Sequence, residues 1–394
     1  MSEIMHPQSA VHNTQALIAM IREHYQSEDF IPLHAPCLGQ PEKQTLNTCI
    51  DSTFVSSVGQ FVTELEQRFI DYTGARHAVA VVNGTMGLFL ALKVAGVESD
   101  DLVLTQSLSF VATANAIKML QADPLFLDVD SMSYGLSADT LENFLNEQAC
   151  QKDGMCVHKQ TGKVIRACVP MHTLGFVAEM DRIVEICQRH GIKVIEDAAE
   201  SLGSFYQGQH SGTFGEMGVF SFNGNKILTT GGGGMLVTDD AELASHAKHL
   251  STTAKIPHAW LFEHDEIGYN LRMPNLNAAL GVAQFDRLPG FLQEKATLAA
   301  SYRHFLSQQS DLTMMQGLAS AQPNYWLNGL ILPDQASRDV FLQQANEAGI
   351  QTRPLWTPMH QLEIYRDCLR CELPQTEWLA ERVVNLPSGV KCHG

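Results

Sequence analysis

Long apolar runs are missing from this chain of 394 residues. No window of about 18 residues is apolar and uncharged enough to cross a bilayer as a helix. The opening stretch MSEIMHPQSAVHNTQALIAMIREHY has neither the basic start nor the apolar centre of a secretory signal. Together these absences predict a cytoplasmic protein with no membrane partner. Basic charge is also scarce. Lys and Arg number 26 against 43 Asp and Glu, a formal net charge of −17. That excludes non-specific nucleic-acid binding, which needs a basic surface, but leaves room for a local basic pocket that takes a small anion. The nine cysteines are odd in number and mostly scattered, and are expected as reduced thiols. The one C-x-x-C, Cys368 and Cys371, has no second pair at zinc spacing, so no metal site is expected.

Two phosphate-binding signatures are absent as well. A P-loop needs G-x-x-x-x-G-K-[ST], whereas Gly224 is followed by Asn225, Lys226 and Ile227. The dinucleotide pattern G-x-G-x-x-G does not occur after the first strand-like run, which disfavours an NAD-dependent enzyme. Internal repeats, low-complexity tracts and long linkers are missing too. The apolar fraction of 45% and charged fraction of 18% are those of an ordinary globular chain with a large core.

What is present is alternation. Between about residues 60 and 250, helical patterns (FVTELEQRFIDYTG, SFVATANAIKMLQA, DRIVEICQRHG) alternate with short β-branched runs (HAVAVV, DLVLT, DPLFLDVD, VIRACVPMH, IKVIEDAA). The runs MGVFSF and GGMLVTD add two more strands. Such βα alternation predicts a mainly parallel sheet with helices on both faces, and ligands at the carboxyl ends of its strands. After about residue 250 the pattern changes to a long helical stretch starting at NLNAAL, expected to break near Pro289. Shorter pieces such as NYWLNGLILP and SRDVFLQQANEAG follow, as in a smaller α+β domain. The predicted division is an N-terminal segment 1–33, a large domain 34–253 and a small C-terminal domain 254–394.

Within VFSFNGNKILTTGGGGMLVTDD, one lysine, Lys226, stands between two apolar strands and beside four glycines, Gly231 to Gly234. A surface lysine in a flexible hairpin is the plain reading. Other segments supply partners. The turn NGTMG opens a helix, and its backbone at Gly84, Thr85 and Met86 with the Thr85 hydroxyl suits a phosphate. Asp197, at the end of IKVIEDAA, is either an N-cap or a counter-ion for a protonated ring nitrogen. Phe110, just after a strand, is either core or a platform for a flat ring. Ser221 lies just upstream of the lysine. Phosphate donors, a stacking aromatic, a carboxylate and a lysine are the parts that hold pyridoxal 5′-phosphate.

With these residues in place the chain resembles the DegT/StrS type of nucleotide-sugar aminotransferase, a fold-type I pyridoxal-phosphate family. The likeness runs from about Phe54 to Pro387 through FVSSVGQFVTELEQRFIDYTG, VVNGTMGLFLAL, EDAAESLGS, GEMGVFSFNGNKILTTGGGGMLVTDD and IGYNLRMPNLNAALGVAQ. The resemblance implies Lys226 as the Schiff-base lysine and Asp197 as partner of the pyridinium. It implies Phe110 as the stacking ring, and Gly84, Thr85, Met86, Ser221 and Asn223 as cofactor contacts. Asn270, in GYNLRMP, resembles an asparagine that reaches the phosphate from a second subunit, which implies a homodimer with shared active sites. Glu200 stands where many relatives carry Gln or His, and is a cofactor-contact candidate whose role stays open. A dehydratase relative would carry histidine in place of Lys226, so transamination is expected. The implied donor is L-glutamate, and the implied acceptor a nucleotide keto-sugar. The subgroup motifs are most like enzymes that aminate C4 of UDP-4-keto-6-deoxy-N-acetylglucosamine for bacterial surface glycans. GDP- or dTDP-linked keto-sugars and a non-catalytic, pyridoxal-phosphate-binding regulator are the alternatives. His172, Arg272, His360 and Trp356 are candidates for substrate contact, each equally open to a structural role.

Overall fold

The computed structural model describes residues 7–307 and 312–392. Residues 1–6 of the N-terminal segment and Gln308–Gln309, the end of the predicted helical stretch, lie outside the described residues.

The central sheet has seven strands. They are β1 (His77–Val81), β2 (Leu102–Gln106), β3 (Asp123–Leu127), β4 (Ile165–Val169), β5 (Lys193–Asp197), β6 (Met217–Ser221) and β7 (Gly234–Thr238). Their order is β1-β7-β6-β5-β4-β2-β3. From β6 through β5, β4 and β2 to β3 every pairing is parallel, while β7 runs antiparallel to both β6 and β1. All five residues of β2 and of β7 are buried. That is why these runs read as continuous apolar segments rather than alternating ones: helices cover both faces. The β6–β7 connection needs no crossover helix because the two strands are antiparallel. It therefore stays at one end of the sheet, and it carries Lys226 and the glycines.

Helix α1 (Pro7–Tyr25) opens the described chain, followed by α2 (Gln40–Asp51) and α3 (Gln60–Thr73). Gly74 ends α3 with φ 80°, its N–H returning to the Ile70 carbonyl. The apolar stripe of α3 sets Phe69 against Phe220 and Phe222 under the sheet. Helix α4 (Gly84–Val94) starts at Asn83, whose side chain accepts the Met86 N–H at 2.8 Å. A Cβ on Gly87 would lie 2.7 Å from Val219 Cγ1, so only glycine lets α4 rest directly on β6. Helix α5 (Val111–Met119) follows β2.

Near Pro289 the structure corrects the sequence expectation. Helix α6 (Asn275–Leu306) runs unbroken through it. The lost backbone donor is local, whereas Leu288 and Phe291 on either side are buried in the core, and packing outweighs it. The first half of α6 packs in the core of α3 through Val282 and Leu288. Its second half, through Leu298, Tyr302 and Leu306, covers a small antiparallel sheet. That sheet is β8 (Thr313–Met314), β9 (Asn328–Ile331), β10 (Arg353–Pro354) and β11 (Val383–Leu386), in the order β8-β9-β11-β10. Helix α1 joins the same core with Leu17, Ile18 and Ile21.

The expectation of nine reduced thiols is also corrected. Cys37 and Cys392 form a disulfide across 355 residues of sequence. Two ends of the chain lie side by side there: the Ser388 N–H donates to the Leu33 carbonyl at 2.8 Å, and the Tyr25 hydroxyl to the Gly389 carbonyl at 2.9 Å. Cys368 and Cys371 are free, and no metal-ligand cluster occurs among the described residues. No described helix is long and apolar enough to cross a membrane.

Candidate active site

The carboxyl ends of the parallel strands converge on one cleft. Its walls include Gly84, Thr85, Phe110, Asp197, Glu200, Ser221, Asn223 and Lys226, contributed by four separate stretches of chain. Lys226 lies in the β6–β7 connection, its N–H tied to the Asn223 carbonyl at 3.0 Å. Its Nζ is 3.1 Å from Glu200 Oε1 and 3.9 Å from the centre of the Trp326 ring. Trp326 is fixed in turn, its Nε1 donating to the Asn225 carbonyl at 2.7 Å. A Cβ on Gly233 would meet Thr230 Oγ1 at 2.3 Å and Met273 Cε at 2.8 Å, so this turn is packed, not merely flexible.

Two buried carboxyl groups face that single ammonium. Glu200 Oε2 accepts the Leu174 N–H at 2.9 Å. Asp197 accepts from Thr113 Oγ1 at 2.6 Å and from the Ala199 N–H at 3.2 Å. A turn, not a helix, follows β5, so Asp197 caps nothing. Burial pushes the pKa of Asp197 up, with Thr113 and Lys226 opposing it; burial also pushes Glu200 up, against Lys226. The floor of the cleft is thus short of positive charge, as a site for a cationic ring requires.

At the other end, the Asn83 side chain takes the Met86 N–H. The N–H groups of Gly84 and Thr85, in the first turn of α4, have no intrahelical acceptor. Gly84 lies so close to β6 that a Cβ would come 2.9 Å from Ser221 Cβ. This cradle has the geometry and partial charge to hold a phosphate. Phe110, 48% exposed, stands over the cleft with its ring edge toward Trp356, 6.4 Å between centroids. It is a wall of the cleft, not core.

Other expected contacts lie elsewhere. Met86 is outside the cleft wall, and its N–H is used by the cap. His172 is fully buried beneath the sheet end, 3.0 Å from Glu196 Oε2, where no sugar reaches it. Glu196 also accepts the N–H groups of Gly212, Phe214 and Gly215, so the pair is a structural post. His360 is bound to the Ser107 hydroxyl at 2.8 Å and faces Glu377 at 3.3 Å, off the cleft. Asn270 and Arg272 are absent from the cleft wall of their own chain, and Arg272 Nε donates to Asn270 Oδ1 at 3.0 Å. Trp326 and Thr113 are the members that sequence reasoning missed. Trp326 carries no local signal because it reaches the site from a distant segment, whereas Thr113 sits three residues after Phe110 and only its bond to the distant Asp197 sets it apart.

The cleft fits pyridoxal phosphate from its own donors: an anion cradle, a buried carboxylate, a lysine and an aromatic ring line the same cavity. Comparison with known proteins agrees. A Bacillus subtilis (strain 168) protein, EpsN, named provisionally as a pyridoxal phosphate-dependent aminotransferase, is 36% identical over 91% of both chains. The GDP-perosamine synthase of Escherichia coli O157:H7 is 33% identical over 91% of this chain and 93% of its own. The crystal structure of the aminotransferase TlmJ from Streptoalloteichus hindustanus superposes with a TM-score of 0.83 at 29% identity, covering 91% of this chain and 93% of that one. Residues 36–394 match the DegT/DnrJ/EryC1/StrS aminotransferase family. The chain belongs to that family and is a pyridoxal phosphate-dependent aminotransferase.

Proposed function

We propose that the enzyme moves an amino group from L-glutamate to the keto carbon of a sugar carried on a nucleoside diphosphate. The observation that carries this reading is the position of Lys226. Its Nζ lies 3.1 Å from Glu200 Oε1 in the same cleft as Asp197, Gly84 and Ser221, an amine where a dehydratase would hold an imidazole.

The chain's residues divide the work. Bound pyridoxal phosphate supplies an aldehyde that links to amines and a ring that accepts electrons from the adjacent carbon. Gly84, Thr85 and Ser221 hold its phosphate. Phe110 orients its ring. Asp197 keeps the ring nitrogen protonated, and so sustains its electron demand. Lys226 would be the amine that holds the cofactor between turnovers. Its Nζ, when free, would be the base that takes up and returns the substrate's proton. Glu200, within hydrogen-bond reach of that Nζ, would orient the free amine. Trp326 covers the same group from the small-sheet side and keeps water off it.

Two acceptors have support. The subgroup motifs favour C4 of UDP-4-keto-6-deoxy-N-acetylglucosamine. The name of the Escherichia coli relative favours a GDP-linked sugar just as well. Either product suits bacterial surface-glycan synthesis. Borohydride reduction and peptide mapping test the anchor: the pyridoxyl label is expected on the Lys226 peptide, and a label on another lysine removes the assignment. A panel of UDP-, GDP- and dTDP-linked keto-sugars with glutamate, read by mass and NMR, tests the acceptor. Cofactor turnover by glutamate separates an enzyme from a regulator that only binds pyridoxal phosphate. Glutamate conversion with no sugar aminated would overturn the acceptor class.

A further inference from the structure

Asp197 is gripped from one side by a hydroxyl, not only by backbone. Thr113 Oγ1 lies 2.6 Å from Asp197 Oδ2. Facing a carboxylate, Thr113 must donate its one hydroxyl proton, which leaves its oxygen free to accept. Ser109 Oγ lies 2.9 Å from that oxygen, nearer than its other two acceptors, the Phe110 carbonyl and Met171 Sδ, both at 3.2 Å, and with the Thr113 proton committed to Asp197 it is the donor within this pair. Both hydroxyls are buried, at 1% exposure. They also flank Phe110. Ser109 immediately precedes it, and the Thr113 N–H returns to the Phe110 carbonyl at 3.3 Å in the first turn of α5. One turn of chain thus carries both the ring over the cleft and the grip on the carboxylate at its floor.

We propose that Thr113, oriented by Ser109, is a positioning residue for the transamination: the chain Ser109→Thr113→Asp197 holds the Asp197 carboxylate ionised and in the one rotamer that faces the cofactor's ring nitrogen. This rests on the reading of Asp197 as the partner of that nitrogen. A carboxylate that accepts a short hydroxyl bond is favoured as the anion. Burial works the other way, and Thr113 is foremost among the groups that counter it. Lys226 and His172 also favour the anion, while the Glu200 carboxyl disfavours it. Without Thr113 the carboxyl takes up a proton more readily and is held only by the longer Ala199 N–H bond at 3.2 Å. The ring proton is then less firmly held.

The test uses the holoenzyme carrying Thr113→Val, Thr113→Ser, Asp197→Asn, or Thr113→Val with Asp197→Asn. Three quantities are read: the single-turnover rate with L-glutamate, the pH midpoint of the cofactor's visible absorbance, and the affinity of the apoenzyme for pyridoxal phosphate. Thr113→Val is expected to slow the glutamate half-reaction about tenfold, to move the absorbance midpoint and to weaken cofactor binding, with Thr113→Ser within about threefold of wild type. In the Asp197→Asn background the same Val change is expected to cost less than about twofold, because its target is already lost. Wild-type rate and spectrum in Thr113→Val would overturn the proposal. So would an equal loss in both backgrounds, the mark of mere packing. A near-normal Asp197→Asn enzyme would instead remove the underlying reading of Asp197. If Thr113→Val does not yield holoenzyme, Ser109→Ala replaces it. A smaller loss in the same direction supports the relay, and unchanged values overturn it.

Discussion

Asp197 serves catalysis at the expense of the empty fold. Buried without a full counter-charge, its pKa is raised from its ordinary value. A carboxyl whose folded value exceeds its unfolded value favours folding at pH below the unfolded value, and that contribution is lost as pH rises through the folded one. The apoenzyme is therefore expected to be least helped by Asp197 at neutral pH. Asp197→Asn should melt at or above the wild-type temperature there, with the difference vanishing below about pH 4, where both side chains are neutral. The holoenzyme should show the opposite. Asparagine cannot supply the charge that holds the ring proton, so both half-reactions should slow by about a hundredfold, roughly 2.7 kcal/mol of barrier at ~1.4 kcal/mol per decade. Melting scans of the apo forms against pH and single-turnover rates of the holo forms check the two halves independently. An apo variant less stable at pH 7 than at pH 4 relative to wild type would contradict the burial account.

At the scale of elements, glycines of like appearance in the sequence have opposite meanings. Gly290 lies inside α6 with nothing within 4 Å of where a Cβ would stand. Gly290→Ala should therefore stabilise by about 1 kcal/mol through helix propensity, a rise of about 1–2 °C. Gly87→Ala should do the reverse, because its Cβ would strike Val219 and lift α4, with the phosphate cradle, from the sheet. Thermal scans and cofactor titrations distinguish them; a stabilised Gly87→Ala would show that α4 can retreat freely. The same contrast explains what was legible beforehand. The parallel sheet was readable, and so was the gathering of Lys226, Asp197, Phe110 and the Gly84–Thr85 turn in one cleft, because each sits at a strand end or helix start, marked by local composition. The continuity of α6 through Pro289 was not, since it depends on burial of Leu288 and Phe291 by distant segments. Neither was the retreat of His172 behind Glu196, whose other bonds come from Gly212, Phe214 and Gly215. Trp326 was hidden for the same reason: nothing beside it in sequence announces that its ring will cover Lys226.

At the scale of the whole molecule, two residues expected at the site stand outside the cleft of their own chain. Asn270 and Arg272 bond each other away from their own cleft. The segment just before them is openly apolar: Trp260, Phe262 and Ile267 are 76%, 80% and 84% exposed. Exposed aromatics in such a cluster mark a contact surface. We propose that this segment packs on a second copy and delivers Asn270 to the partner's phosphate cradle. Each copy carries a formal charge of −17, so association should tighten as salt rises from low ionic strength. A composite site makes a sharper prediction. A Lys226→Ala subunit lacks its own anchor but can still lend Asn270. An Asn270→Ala subunit keeps its lysine but starves its neighbour. In a mixed dimer, the site built from the intact Lys226 of one chain and the intact Asn270 of the other is whole. Mixing the two inactive variants at equal concentration should then restore about a quarter of wild-type activity per total site, since about half the dimers are mixed and each of these has one good site of two. Subunit exchange is verified with differently tagged chains. Exchange without recovery would place Asn270 in no shared site and make each cleft self-sufficient.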